Sequence, residues 1–216
     1  MSALPLPASP RAQVAAYVDE RRRRGLSVAF DLGCGARKAS GAFGVDGAAL
    51  AGVDLVHDLQ ARPYPLPDDC ADEVHLSHVL EHFADPLPVL EEVWRITRPG
   101  GCVLIRTPHY SGGYAWKDPT HRRAFTSESF HYFGANGYSY YTHARFKVVS
   151  VRLKYLMEEH LWPLPHRLLG RGVQRILDRH PTFGERFLCY LVGGIDELQV
   201  RLEAVKGGAV PGACPR

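Results

Sequence analysis

Two groups of side chains in this chain have the types and spacing for proton-transfer chemistry. His78, Glu81 and His82 stand at i, i+3 and i+4, so a helix over 78–83 would present all three on one face. Histidine is the side chain whose ordinary pKa lies nearest neutral pH, which suits it to take a proton from a hydroxyl or an ammonium. The second group is Asp118 and His121, in the turn-like Asp118-Pro119-Thr120-His121, where the carboxylate can orient the imidazole as a general base. Each group also has a plainer reading. Glu81 and His82 can be a hydrogen-bonding pair at a helix end. His121 and Asp118 can fasten a loop, with Thr126 capping a helix over 127–133.

A second kind of chemistry is written in three acids. Asp31 follows the apolar run 26–30 and precedes the turn Gly33-Cys34-Gly35, Asp46 closes the run 42–46, and Asp58 falls near the end of the run 53–59. Three successive strands thus each deliver an acid to one edge of a parallel sheet, where ligands of open α/β sheets collect. Gly33 and Gly35 allow a tight turn and a close approach of backbone to ligand. Backbone N–H groups in such a turn can hold a carboxylate or a phosphate. Of the acids, Asp46 can accept both vicinal hydroxyls of a ribose, and Asp58 can accept the exocyclic amine of an adenine.

The elements that must position these residues alternate strand and helix, which predicts an α/β, doubly wound, mostly parallel sheet. An amphipathic helix over 11–24 precedes the first strand. Residues 36–41 are too few for the usual crossover helix between parallel strands, so a loop must serve there. A fourth strand over 72–77 runs into the His78 segment, and a helix over 87–98 is stopped by Pro99-Gly100-Gly101 before a strand over 102–107. Residues 108–145 are rich in aromatic, His and Arg side chains and read as a lid, with Tyr138, Tyr140 and Tyr141 either lining a pocket or packing the insertion. A strand over 146–153, a helical insertion within 155–192 (patterns at 161–177 and 185–192) and a last, partly exposed strand over 196–205 follow. One domain over 11–206 is expected, between a disordered 1–10 and a flexible tail, 207–216.

Composition narrows the function. The 216 residues are 45% hydrophobic and 23% charged with a formal charge of +3, too weakly basic to argue for nucleic acid. The run Arg21–Arg24 reads as the cation-rich end of a helix stopped by Gly25. Five scattered cysteines with no C-x-x-C pair argue against a disulfide framework or a zinc site and for a reducing cytoplasm. No metal site is expected among the histidines. Neither a signal peptide nor a membrane span is evident, so a soluble cytoplasmic protein, monomer or homodimer, is expected.

The set Asp31-Leu32-Gly33-Cys34-Gly35, Gly44-Val45-Asp46, His57-Asp58-Leu59, Ser77-His78-Val79-Leu80-Glu81-His82 and Arg98-Pro99-Gly100-Gly101 resembles the class I S-adenosylmethionine-dependent methyltransferases, type 11 group. The resemblance implies a Rossmann-like seven-stranded sheet with a C-terminal antiparallel strand, and S-adenosyl-L-methionine as cofactor. It implies methyl transfer to a small-molecule or carbohydrate-type acceptor. The backbone of Gly33, Cys34 and Gly35 would hold the methionine part, with Asp31 near its ammonium. Asp46 would take the ribose, Asp58 and Leu59 the adenine, and Ser77 with His78 the wall under the sulfonium. Two departures stand out: Arg37 replaces the usual third glycine, and the helix after the turn is missing. Arg37 and Lys38 then either contact the cofactor carboxylate or face solvent. A cyclase or lyase releasing methylthioadenosine, and a non-catalytic cofactor-binding module, are the competing readings.

Overall fold

The computed structural model describes residues 9–134, 140–207 and Cys214. The expectations for residues 1–8, for Tyr138 and for most of the C-terminal tail lie outside them. Helix α1 (Pro10–Arg23) starts on Ser9, whose hydroxyl accepts from the Ala12 amide, and carries Pro10 at its first turn. The strands are β1 (Ala29–Leu32), β2 (Phe43–Asp46), β3 (Leu55–Val56), β4 (Ala71–Ser77), β5 (Thr97–Pro108), β6 (Phe146–Lys154) and β7 (Glu197–Ala204). Helix α2 (Leu87–Ile96) joins β4 to β5, α3 (Tyr114–Lys117) follows β5, and α4 (Leu164–Arg179) follows β6. The seven strands form one sheet in the order β3-β2-β1-β4-β5-β7-β6. Strand β7 pairs antiparallel with both β5 and β6, and the other pairings are parallel.

Pairing register sorts the side chains into two faces. Phe30, Val74 and Val103 lie in register with Leu202, and Leu76 and Ile105 with Val200; all are buried in one core with Val14, Val18, Val89, Val93, Val173 and Leu177 of the helices. Tyr17 of α1 packs edge-on against Phe30 and tilted against Phe43 on this side. The opposite face carries Asp31, His75, Leu104 and Arg201 in one row and Ser77, Arg106 and Gln199 in the next. A cavity of about 640 Å³ lies over it, reaching from Asp31, Arg37 and Ser77 to Arg152 and Arg201. Parallel sheets are ordinarily covered on both faces. Here no helix stands between β1 and β2, as the short connection requires.

Several expectations need correction. The third strand is two residues long, Leu55–Val56; the His57 amide still donates to the Asp46 carbonyl at 2.8 Å, while its ring bonds the Ala61 carbonyl. Helix α2 ends at Ile96, and Thr97 already belongs to β5; Pro99-Gly100-Gly101 therefore lie within the strand, beside a register shift, rather than stopping the helix. The last strand is not partly exposed: it is clamped between β5 and β6, and most of its residues are buried. The 127–133 helix is a 3-10 segment, Ser129–Phe133, with no side-chain cap; the Ser129 hydroxyl instead accepts from the Thr126 amide. The 185–192 pattern forms a wide π turn, Gly184–Leu188, and then a single α turn.

A disulfide joins Cys102 to Cys214, contrary to the reading of the cysteines. Spacing could not show it, because the partners are 112 residues apart and meet only when the tail returns to the sheet. The cysteines accordingly give no support to a reducing compartment. Cys34, Cys70 and Cys189 are free and buried. Among the described residues no helix is long and apolar enough to cross a membrane.

Candidate active site

The glycine turn is built by its strand neighbours. The Gly33 amide donates to the Val45 carbonyl at 2.7 Å, and Gly33 and Gly35 take φ of +72° and +53°. A Cβ on Gly33 would stand 1.9 Å from Val79 Cγ2, so glycine is required for both torsion and space. Asp46, the last residue of β2, accepts from the Gly35 amide at 2.8 Å and from Ala48 at 2.9 Å. The second-strand acid is thereby locked to the glycine turn, with one lone pair on each oxygen left for a ligand. Cys34 is buried, and its thiol is pushed up to about 11 by burial and the nearby Asp31 and Asp46 carboxylates. It offers the site backbone rather than a reactive sulfur.

Asp31 is 3% exposed. Its Oδ2 accepts from the Ala39 amide at 2.7 Å, whereas Oδ1 is buried with no hydrogen-bond partner. Burial raises its pKa, and the Ala39 bond only partly opposes this. A buried carboxylate oxygen without a partner is costly unless a cationic ligand meets it. Asp31, Arg37 and Ser77 border the large cavity together. Asp58 accepts from the Gln60 amide through Oδ1, and Leu59 is buried with its carbonyl held by the Tyr64 hydroxyl. Lys38 is not available for a cofactor: its ammonium is 2.5 Å from Asp54, which also accepts from the Gly44 amide.

The proton-transfer candidates are gathered, though not on one helical face. His78 has φ +56°, and only Leu80–His82 forms a helical turn, of the 3-10 kind. The left-handed step at His78 turns its ring toward β7, where Nε2 is 3.0 Å from Glu197, while Nδ1 is 3.3 Å from Glu81. Burial alone would lower its pKa, but the Glu197 and Glu81 carboxylates outweigh that and push it up to about 9. His78 is thus a clamped cation at neutral pH, the opposite of what a base requires. Glu197 escaped notice in the sequence because nothing in a strand pattern links it to a histidine 119 residues away.

Glu81 is 1% exposed; Oε2 accepts from Thr107 Oγ1 at 3.2 Å, and its carbonyl holds the Arg122 and Arg123 amides of the lid. His82 reaches Thr120 through Nδ1 at 2.8 Å, and Thr120 donates to Asp118 at 2.7 Å. Asp118 therefore acts chiefly through Thr120; its other oxygen is 3.9 Å from His121 Nε2, too long for a hydrogen bond. His121 donates from Nδ1 to the Ala115 carbonyl at 3.1 Å. The rings of His82 and His121 meet edge to face at 4.8 Å.

Comparison with known proteins bears on the family and the fold. Residues 30–105, from β1 to β5, match the type 11 family model described as "Methyltransferase domain". The ubiquinone biosynthesis O-methyltransferase of Pseudomonas putida (strain GB-1) is 27% identical over 113 residues, 42% of this chain and 48% of that protein. A structure of an S-adenosylmethionine-dependent methyltransferase from Archaeoglobus fulgidus superposes with a TM-score of 0.50 at 16% identity, covering 90% of this chain and 96% of that one. Residues 30–105 thus form a methyltransferase domain similar to those of the class I S-adenosylmethionine-dependent methyltransferases. The cofactor of this family is S-adenosyl-L-methionine, and the buried Asp31 oxygen, the glycine turn and Asp46 fit its ammonium, methionine backbone and ribose. A probable S-adenosylmethionine-dependent methyltransferase of Mycolicibacterium smegmatis is 40% identical over 57 residues, 26% of this chain and 22% of that protein. The [4+2]-cyclase SpnF shares the fold, with a TM-score of 0.52 at 16% identity over 91% of this chain and 82% of that one. The chain spans about half the length, or less, of the curated relatives it matches.

Proposed function

We propose that this protein transfers a methyl group from S-adenosyl-L-methionine to an oxygen of a small-molecule acceptor. The observation that carries the reading is the Asp31 oxygen, buried and unpartnered beside a glycine turn that Asp46 ties down. The bound cofactor supplies an electrophilic methyl on a sulfonium. The chain's own residues then have distinct roles. Asp31 receives the ammonium, and the Gly33, Cys34 and Gly35 backbone lies against the methionine part. Asp46 receives the ribose hydroxyls on the lone pairs that Gly35 and Ala48 leave free. Asp58 and Leu59 hold the adenine, and Ser77 walls the sulfonium end. Transfer of this kind depends chiefly on alignment and on exclusion of water.

The acceptor side is assigned to the cluster of Glu81, His82, His121 and Asp118, with His78 as the fixed positive charge behind Glu81. An oxygen acceptor is supported by the O-methyltransferase named among the relatives, and a small one by the modest size of the lid. The test is incubation with methyl-labelled cofactor and a panel of hydroxylated small molecules. Label in an acceptor, with S-adenosylhomocysteine formed in equal amount, is the expected result. Steady release of methylthioadenosine without an acceptor would overturn methyl transfer in favour of a cyclase or lyase.

A further inference from the structure

We propose that Glu81, His82 and His121 form a binding site for a single divalent transition-metal cation of the zinc, cobalt or manganese kind. One ligand atom from each of the three lies within 4.8 Å of the other two. The hydrogen bonds around them leave one bare nitrogen on each histidine. Thr120 commits its hydroxyl hydrogen to Asp118, so at the 2.8 Å contact with Thr120 it is His82 Nδ1 that donates, and Nε2 keeps its lone pair. The Ala115 carbonyl can only accept, so His121 Nδ1 carries the hydrogen and its Nε2 is bare. Glu81 Oε1 is buried, and its one close polar neighbour is His78 Nδ1 at 3.3 Å, which leaves it a lone pair on the side of the two histidines.

Two imine nitrogens and a carboxylate oxygen are thus gathered without a hydrogen-bond donor shared among them. A cation relieves that arrangement. Two histidines and one glutamate are a zinc-type set that leaves a fourth position open, and imidazole ligands favour such ions over magnesium or calcium. Both histidines also have the outer partners that metal-bound histidines usually have, a carbonyl for one and a hydroxyl–carboxylate relay for the other. In the sequence, His78-x-x-Glu81-His82 hides the site, because the nearer histidine turns away to Glu197 and the third ligand comes from the lid. The open position would hold an acceptor hydroxyl and ease its deprotonation. That use rests on the transferase reading; cation binding itself does not.

The test measures binding alone. The tag-free protein, stripped with a chelator, is titrated calorimetrically with zinc and followed by visible absorbance with cobalt. A single saturable site with cobalt bands of low coordination number is expected. His121→Ala should abolish it, and Thr120→Val, which leaves the ligands in place, should weaken it about 10–100-fold. Exposed His166→Ala should bind as the wild type does. S-adenosylhomocysteine binding by each variant reports that it is folded. Zinc affinity equal in the wild type and a folded His121→Ala, or no binding by the wild type, would overturn the site and leave the cofactor assignment untouched.

Discussion

Replacing Glu185 should loosen the lid from the core by a calculable amount. This carboxylate sits in the π turn after α4, 7% exposed, and three donors converge on it. His109 Nε2 approaches to 3.1 Å, the Ser127 amide donates at 2.9 Å, and the Ser127 hydroxyl makes a short third bond. The Ser111 amide donates to His109 Nδ1, which assigns the ring hydrogen to Nε2 and makes His109 a donor to Glu185. Glu185→Gln keeps the shape but removes the charge and turns an amide N–H toward a donor. One lost bond to a charged group costs about 1.5–3 kcal/mol, and with the other two weakened we expect about 3 kcal/mol. For a chain of this size that lowers Tm by about 6–12 °C. Burial alone would raise the Glu185 pKa, but the bonds from His109 and Ser127 hold it below its ordinary 4.5. A depressed carboxyl contributes stability that is complete above the unfolded-state value and is lost as pH falls through the folded-state value. Scanning calorimetry should therefore show the full gap at neutral pH and a shrinking gap below about pH 4.5. A drop under about 2 °C at neutral pH, or a gap unchanged in acid, would refute the reasoning.

Gly33→Ala should destabilise the fold by more than the roughly 1–2 kcal/mol of a left-handed torsion, since its Cβ meets Val79. Adding Val79→Ala should recover part of the loss in urea unfolding, and no recovery would mean the clash is not the cause. Lys38→Ala should change S-adenosylhomocysteine affinity less than about threefold, because Lys38 serves Asp54; its stability cost should stay within the ~1 kcal/mol typical of an exposed ion pair. Asp31→Asn should weaken that ligand by about tenfold or more, the value of a charge-assisted bond, while leaving the fold as stable as before or more so, because it removes a buried charge held by a single amide and keeps an oxygen to accept from Ala39.

The proposed cofactor half of the candidate site was legible as a cluster because its residues are local to three strand ends. Apolar runs closing on Asp31 and Asp46, and glycines at 33 and 35, carry their meaning within a few residues. The missing crossover helix after the glycine turn was also legible, because residues 36–41 are too few to form one. Long-range partners were not. Glu197 converts His78 from the expected base into a clamped cation, and Cys214 pairs with Cys102, through contacts that only the sheet order creates. The helical face drawn through His78, Glu81 and His82 failed for a local reason: the chain takes a left-handed step at His78 before its single 3-10 turn. Of the named site residues, Asp31, Ser77 and the Asp46-bound glycine turn meet at one edge, whereas Lys38 is occupied elsewhere.

The central claim is that the edge formed by Asp31, Gly33–Gly35 and Asp46 holds S-adenosylmethionine. Calorimetric titration with S-adenosylhomocysteine tests it most directly, comparing the wild type with Asp46→Ala. Saturable one-site binding, weakened in the variant by about 1.5–3 kcal/mol, or roughly 10–150-fold, is predicted. Absence of binding by the wild type, or equal affinity in a folded Asp46→Ala, would contradict it.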